Sequence, residues 1–544
     1  MQFRNLQNKL WTTAKEWATA ADVEIYKKIS EFNPFADKSC SWFDPWWMFG
    51  VKDGFDIVIG NPPYVQLQKD GGKLAKIYQA FNYKTFQRTG DIYSLFYEKG
   101  IDVLKKNGVL TFITSNSWMR TEYGEKTRHL FINNNPLLVI TFEGNQVFDN
   151  AIVDSNILII QKNINKNNTK GAKIKEIQNT LQEEVESNKV ILSHLSNSEW
   201  FIGSQNEIFI KETVEEVGKP LGKWDVNINR GITTGFNEAF FIDDNIKRNI
   251  INNDPLSKDL IKKLLRGRML CKFYTSFDNS HIIFTKRGIE IDNFKGIKEH
   301  LFNYYDNLKP KNKKEDKNGR KPGTYQWYEI QDNTNYYPEF SKPKIFWIQL
   351  SDRNRFTYTE EEVFATNSCF MMTSNSDNIS LKYLLSVLNS KMVLYYYKMI
   401  GSSSGMGTLE WTGVGTQKIP IPEIVQKLII SSFENISDFV IYLLKNKENS
   451  ILSHTENSRI ASHLEDILNM MVYELYFEEH MKEVDLDVLQ FVTPVIENLQ
   501  NLPIEEQIKE LYEWYQKPEN AVRQRIMLID TRSPDILAVI HKSV

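Results

Sequence analysis

The sequence predicts an α/β domain, then an α+β region, then a helical carboxyl-terminal part. Three observations carry that reading. Residues 55–60, Phe-Asp-Ile-Val-Ile-Gly, form an apolar run that stops at Pro62 and Pro63, as a buried parallel strand does when it runs into a stiff loop. Apolar runs at Val109–Thr114 and Leu137–Phe142 then alternate with segments of helical spacing. Beyond residue 425, Ile460, Leu464, Ile467, Leu468, Met471 and Leu475 trace one helical face.

Taken in order, Leu6–Ile29 reads as a helix and leads through a Trp-rich approach to the first strand. The loop at that strand's carboxyl end is Asn61-Pro62-Pro63-Tyr64. Open α/β sheets place their ligands at such ends. The loop offers an amide side chain, a free carbonyl at Pro62 and the ring of Tyr64, groups that suit a planar base with an exocyclic amine. A short Pro-rich stretch can also be no more than a turn.

Ile92, Leu95, Phe96, Ile101 and Leu104 recur at helical spacing, and Lys105-Lys106-Asn107-Gly108 reads as that helix's end. Residues 121–133 read as a further helix. Residues 161–190, with Lys-Asn-Ile-Asn-Lys-Asn-Asn, read as an insertion or linker. The Trp-Tyr and Arg-rich stretch 513–525 reads as one helix.

Phe55 through Val65, with Ser41-Trp42-Phe43-Asp44-Pro45 and Gly50-Val51-Lys52 before it, resembles the catalytic motif of type IIG restriction–modification methylases. That group methylates adenine N6 in DNA. The resemblance implies catalytic roles for Asn61, Pro62, Pro63 and Tyr64, with the Asn61 side-chain oxygen and the Pro62 carbonyl accepting the two N6 hydrogens. The adenine is flipped from the duplex and stacked on aromatic rings, and methyl transfer from S-adenosylmethionine is direct, with positioning and electrostatics carrying catalysis. Residues 144–160 resemble the motif in which an aromatic precedes a late strand, which makes Phe148 either a second base-stacking ring or a core residue. Asp91-Ile92-Tyr93 with Phe96 and Glu98 resembles the motif after the catalytic loop, so Asp91 is either near the cofactor or a helix-start residue.

Only sixty residues precede Asn61, and their glycines are Gly50, Gly54 and Gly60. A doubly wound cofactor half needs well over about 100 residues and a Gly-rich turn. The chain therefore resembles the C-terminal half of a Rossmann-like methyltransferase sheet, with the main S-adenosylmethionine site absent and a separate cofactor-binding or nuclease polypeptide as a possible partner. Gly401–Gly407 and Gly413–Gly415 read as flexible loop rather than a displaced cofactor turn.

Leu221–Ile242, Leu265-Arg266-Gly267-Arg268, Lys342–Trp347, Phe364–Asn367 and Leu384–Tyr397 resemble the specificity domain found C-terminal to Taq-type adenine methyltransferases. Met269-Leu270-Cys271-Lys272 departs from that pattern. Lys309, Lys311, Lys313, Lys314, Lys317, Arg320 and Lys321, against Glu315 and Asp316, make a basic run that is either a solvated loop or a phosphate contact. Tyr325, Trp327 and Tyr328 follow it as candidate stacking or wedge surface. Arg230, Arg266, Arg268, Arg353 and Arg355 are candidates for guanine edges or phosphates.

The domains expected are 1–54 as lead-in, 55–165 as the catalytic half, 166–214 as linker or insertion, 215–425 as the target-recognition domain and 426–544 as a helical region. The net charge of −3 makes any DNA footprint local. Cys40, Cys271 and Cys369 lack metal spacing and fit a reducing cytoplasm. No metal is expected, and no apolar run reaches the roughly 20 residues of a membrane helix. A protein-glutamine methyltransferase shares the Asn-Pro-Pro-Tyr motif but leaves the residues beyond the sheet without a role. The function expected is adenine-specific DNA methylation in a restriction–modification system, the alternative an inactive DNA-recognition fragment of such an enzyme.

Overall fold

The computed structural model describes residues 5, 9, 12, 50–142, 154–174, 176–192, 195–312, 317–332, 335–402, 408–452 and 454–544. The expected helix 6–29 and the Trp-rich approach fall almost wholly outside these, as do Cys40, Phe148, Lys313 and Lys314. The chain divides into two compact units between Ile202 and Gly203.

The first unit is a six-stranded sheet. In chain order the strands are β1 (Phe55–Gly60), β2 (Leu104–Ser115), β3 (Asn135–Phe142), β4 (Ser155–Gln161), β5 (Thr169–Lys173) and β6 (Lys189–Leu192). Their order across the sheet is β1-β2-β4-β3-β5-β6. β1 runs parallel to β2 with Ile59 opposite Thr111 and Gly60 opposite Phe112, whereas β4 lies antiparallel to both β2 and β3. The helix Tyr93–Asp102 covers one face of β2. It can do so because position 100 is glycine: a Cβ there would stand 2.4 Å from Leu110 Cδ1. Tyr97, Phe112, Trp118, Phe131 and Trp200 form an aromatic core with ring centroids 4.8 Å (Tyr97–Phe131), 4.9 Å (Trp118–Phe131) and 5.2 Å (Trp118–Trp200) apart.

Four expectations change. Leu104 opens β2 opposite Phe55, and Lys105–Gly108 lie within that strand, not at a helix end. The reason is Gly54 and Asn107, whose positive φ values (+102° and +68°) let two backbones approach where a helix would have continued. Residues 166–214 are not a linker, because β5 pairs in parallel with β3 and β6 closes the sheet. The polar Asn-rich stretch hides that strand pairing, which buries Ala172 and Ile174 against Ile140 and Phe142. Third, β1 is an edge strand of the described sheet and not a buried one, with Ile57 and Ile59 66% and 78% exposed. Finally, the 513–525 stretch divides into helices Ile504–Gln516 and Ala521–Met527, broken at Pro518.

In the second unit, β7 (Gly218–Pro220) pairs antiparallel with Pro420–Pro422. Two four-stranded sheets share one core around Phe340, Phe346, Phe364 and Met371. One sheet holds Phe241–Ile242, Ile261–Leu265, His281–Ile283 and Val363–Ala365; the other holds Val226–Arg230, Lys344–Ile348, Thr357–Thr359 and Cys369–Ser374. Long helices follow, chiefly Lys427–Lys445 and Asn457–Tyr476, and the latter buries Ile460, Leu464, Ile467, Leu468 and Met471 as its spacing requires.

Lys344 is buried within this unit, its ammonium donating to the carbonyls of Lys342 (2.6 Å) and Glu361 (2.8 Å). Burial pushes its pKa down to about 8. The folded state thus gives up the proton at lower pH than the unfolded chain, so the cost of charging Lys344 is complete below about pH 8 and is relieved as pH rises toward about 10.4. Lys344→Met is expected to flatten that part of the stability–pH curve relative to the parent chain, measured by denaturant unfolding from pH 7 to 10.

Candidate active site

β1 ends at Gly60, and Asn61 and Pro63 emerge exposed beyond it, with Pro62 buried between them. Pro62 and Pro63 each fix their own φ, so the Asn61 amide and the Pro62 carbonyl are presented by a stiff backbone. Tyr64 turns back over the carboxyl end of β2, where its hydroxyl donates to the Ile113 carbonyl at 3.4 Å. Its ring meets Tyr93 edge-on, centroids 6.3 Å apart at 86°. Burial raises the phenol's pKa, opposed by the Ser155 side chain and assisted by the Asp91 carboxylate, so Tyr64 is a neutral ring at any physiological pH.

Behind the loop the chain is tied down by buried polar groups. Asp91 accepts the Val65 amide at 2.8 Å. Tyr93 hydrogen-bonds Tyr123, hydroxyl to hydroxyl, at 3.0 Å. The Asn156 side-chain oxygen accepts from the Thr114 hydroxyl (3.0 Å) and the Trp118 indole (3.0 Å), which fixes the end of β2 beside the loop. Glu98 accepts the amides of Lys84 (3.0 Å) and Thr85 (2.8 Å) and the Thr85 hydroxyl (2.8 Å), holding the preceding loop to the helix. Tyr123 and Asn156 carry no signal in the sequence, since their partners lie 30 and 38 or more residues away.

Among the described residues, the groups brought to this end are amide, carbonyl and ring, which suit a planar amine. No group of three metal-ligating side chains occurs among the described residues, and none of the described helices is long and apolar enough to cross a membrane.

In the second unit the basic residues part company. Arg320 corrects its reading as a DNA contact. It is 3% exposed, and its guanidinium donates to five carbonyls: Leu308, Thr234 and Glu329 (each 2.7 Å), Trp327 (3.0 Å) and Gln326 (3.2 Å). Tyr325 also leaves the surface, its ring 4.5 Å from that guanidinium. Lys317 and Lys321 stay exposed, and Lys311 is half-buried. Arg268 is exposed and pairs with Asp278 at 2.5 Å, while Arg266 lies over the Phe241 ring at 5.8 Å. Gly267 between them explains the Leu-Arg-Gly-Arg spacing, because a Cβ there would stand 2.3 Å from Ile348 Cδ1. Arg230 ends its strand at the surface, donating to the Asn367 carbonyl (2.6 Å) and Gln349 Oε1 (2.9 Å). Arg353 and Arg355 both face Asp352, at 2.8 and 3.7 Å.

The chain thus carries a strand-end Asn-Pro-Pro-Tyr loop on an α/β sheet, followed by a second, β-rich unit. Residues 2–148 match the Eco57I restriction-modification methylase family and residues 262–421 the TaqI-like C-terminal specificity domain. The chain is 22% identical over 443 residues to Type II methyltransferase M.BstVI of Geobacillus stearothermophilus, covering 73% of this chain and 75% of that one. It is 24% identical to the restriction enzyme and methyltransferase RM.Eco57I of Escherichia coli, covering 79% of this chain but 45% of that protein. The solved DNA complex of the Type IIL restriction-modification enzyme MmeI aligns at 11% identity and a TM-score of 0.48, over 88% of this chain and 57% of that one.

Proposed function

We propose that this chain acts in adenine-N6 methylation of double-stranded DNA, with S-adenosylmethionine as the methyl source. The observation that carries the proposal is the loop itself: an exposed amide oxygen at Asn61 and a carbonyl at Pro62, backed by the Tyr64 ring. The amine of adenine is delocalised into its ring and weakly nucleophilic. Two acceptors facing its N–H bonds draw the lone pair toward the nitrogen, and Tyr64 fixes the plane of the flipped base. S-adenosylmethionine supplies a methyl group activated by a sulfonium. The amine then releases a proton to water, so the loop needs no general base.

Phe148 is proposed as the second ring against the flipped base. Phe148→Ala is expected to cut the fluorescence change of 2-aminopurine at the target position severalfold; an unaltered signal assigns Phe148 to the core. The exposed Lys317 and Lys321, with Lys311, Lys313 and Lys314, are proposed to contact phosphates, and Arg230, Arg266 and Arg268 to contact DNA. Lys317→Ala/Lys321→Ala is expected to reduce the slope of log affinity against log salt by about 2 and leave thermal stability unchanged.

The deciding experiment is transfer of labelled methyl groups to duplex DNA, with N6-methyladenine identified by mass spectrometry of the nucleosides. N6-methyladenine that disappears in Asn61→Ala supports the proposal. DNA binding without methylation, even when a candidate cofactor-binding polypeptide is added, replaces it with the recognition-fragment reading. Calorimetry with S-adenosylmethionine separates a chain that binds the donor alone from one that needs such a partner.

A further inference from the structure

We propose that Asp91 is a positioning residue that holds the Asn61–Tyr64 loop, and that it is not a ligand of the methyl donor. The inference rests on the methyl-transfer reading for its kinetic consequence, though its geometry stands apart from it. Asp91 is 8% exposed. Its Oδ1 accepts the amide of Val65, the residue that follows Tyr64, at 2.8 Å. Burial pushes the Asp91 pKa up, opposed by the nearby Val65, Tyr93 and Ile92 amides, which favour the charged form.

The contact is the centre of a longer seam. The Ile92 amide donates to the Val65 carbonyl at 3.0 Å and the Leu67 amide to the Gly90 carbonyl at 2.9 Å. Gln66 and Asp91 face each other as an antiparallel bridge. One side chain therefore joins the exit of the loop to the start of the helix that carries Tyr93, whose ring meets Tyr64 edge-on. Fixing the Val65 amide fixes the backbone direction out of Tyr64, and with it the plane on which a flipped base would rest. A ligand-binding carboxylate would stand open to a ribose or an amine; this one is buried, with Oδ1 turned to the chain.

The test compares Asp91→Ala and Asp91→Asn with the parent chain. Asp91→Ala is expected to lower kcat for methyl transfer by about 10- to 100-fold while leaving KM for S-adenosylmethionine within about twofold. Asp91→Asn keeps an acceptor at Oδ1 and is expected to regain most of the rate. A KM for S-adenosylmethionine that rises tenfold with kcat unchanged overturns the inference and makes Asp91 a donor ligand. Hydrogen exchange on the free full-length chain gives a second readout that needs no activity. In Asp91→Ala the Val65 amide should exchange at least tenfold faster while the amides of 104–115 keep their protection. Equal exchange at Val65, or faster exchange throughout, overturns the inference. Absence of methyl transfer by the parent chain even with a candidate cofactor-binding polypeptide added, with the exchange result as expected, would instead overturn the function proposed above.

Discussion

Asn61→Ala is expected to lower methyl transfer by about 100- to 1000-fold while duplex affinity stays within about threefold. The size follows from what removal of one pre-aimed hydrogen-bond partner costs in other sites where charge develops during reaction. Asn61 sits exposed at the end of β1, so its side chain supports no core and the variant should fold normally. Tyr64→Ala differs in kind. It removes a stacking ring worth about 1–3 kcal/mol per base and also the contacts to Ile113 and Tyr93. A loss of about 10- to 100-fold is expected, together with a small loss of thermal stability. Single-turnover methylation and filter binding on one duplex measure both variants. Equal loss of DNA binding in Asn61→Ala would show that the loop supports structure instead of chemistry.

Arg320→Ala is expected to destabilise the second unit by about 3–5 kcal/mol, because five carbonyls lose their donor inside a closed loop and its cap over the core. For a domain of this size that is a fall in melting temperature on the order of 10 °C. Arg320→Lys should recover little, since an ammonium has three donors where the guanidinium uses a planar fork of five. Burial lowers the pKa of Arg320 to about 10, opposed by Tyr325; it remains charged at neutral pH. Differential scanning calorimetry beside the Lys317→Ala/Lys321→Ala double variant separates the two roles. The buried arginine should change stability and the exposed lysines the salt slope. A stable Arg320→Ala with weakened DNA binding would restore its reading as a phosphate contact.

Much of the first unit was legible because local chemistry and tertiary position agree there. The Phe55–Gly60 run ends at prolines that no strand can continue through, so β1 and its loop follow from composition alone. The expected strand at Leu137–Phe142 lies within β3, and the late strand expected at the end of the 144–160 motif corresponds to β4. Linear reading failed where partners are distant. Thr169–Lys173 looks like linker because its residues are polar and small, and only pairing with β3 makes it a strand. Lys105–Gly108 looks like a helix end because lysines and glycine gather there, but the close passage of Gly54 pulls that stretch into β2.

The sequence by itself determined the stiff loop at the end of β1, the resemblance to restriction–modification methylases and the helical face of 457–476, since each depends on neighbours within a few residues. Tertiary structure alone decided which charges are free. Lys317, Arg320 and Lys321 are indistinguishable in a basic run, yet only Arg320 has five carbonyls converging on it from segments up to 86 residues away. Asp91 was open between two roles for the same reason, until folding set the Val65 amide against it. A side chain's chemistry is written in its own residue, but whether that chemistry is spent inside the protein depends on what the rest of the chain brings to it.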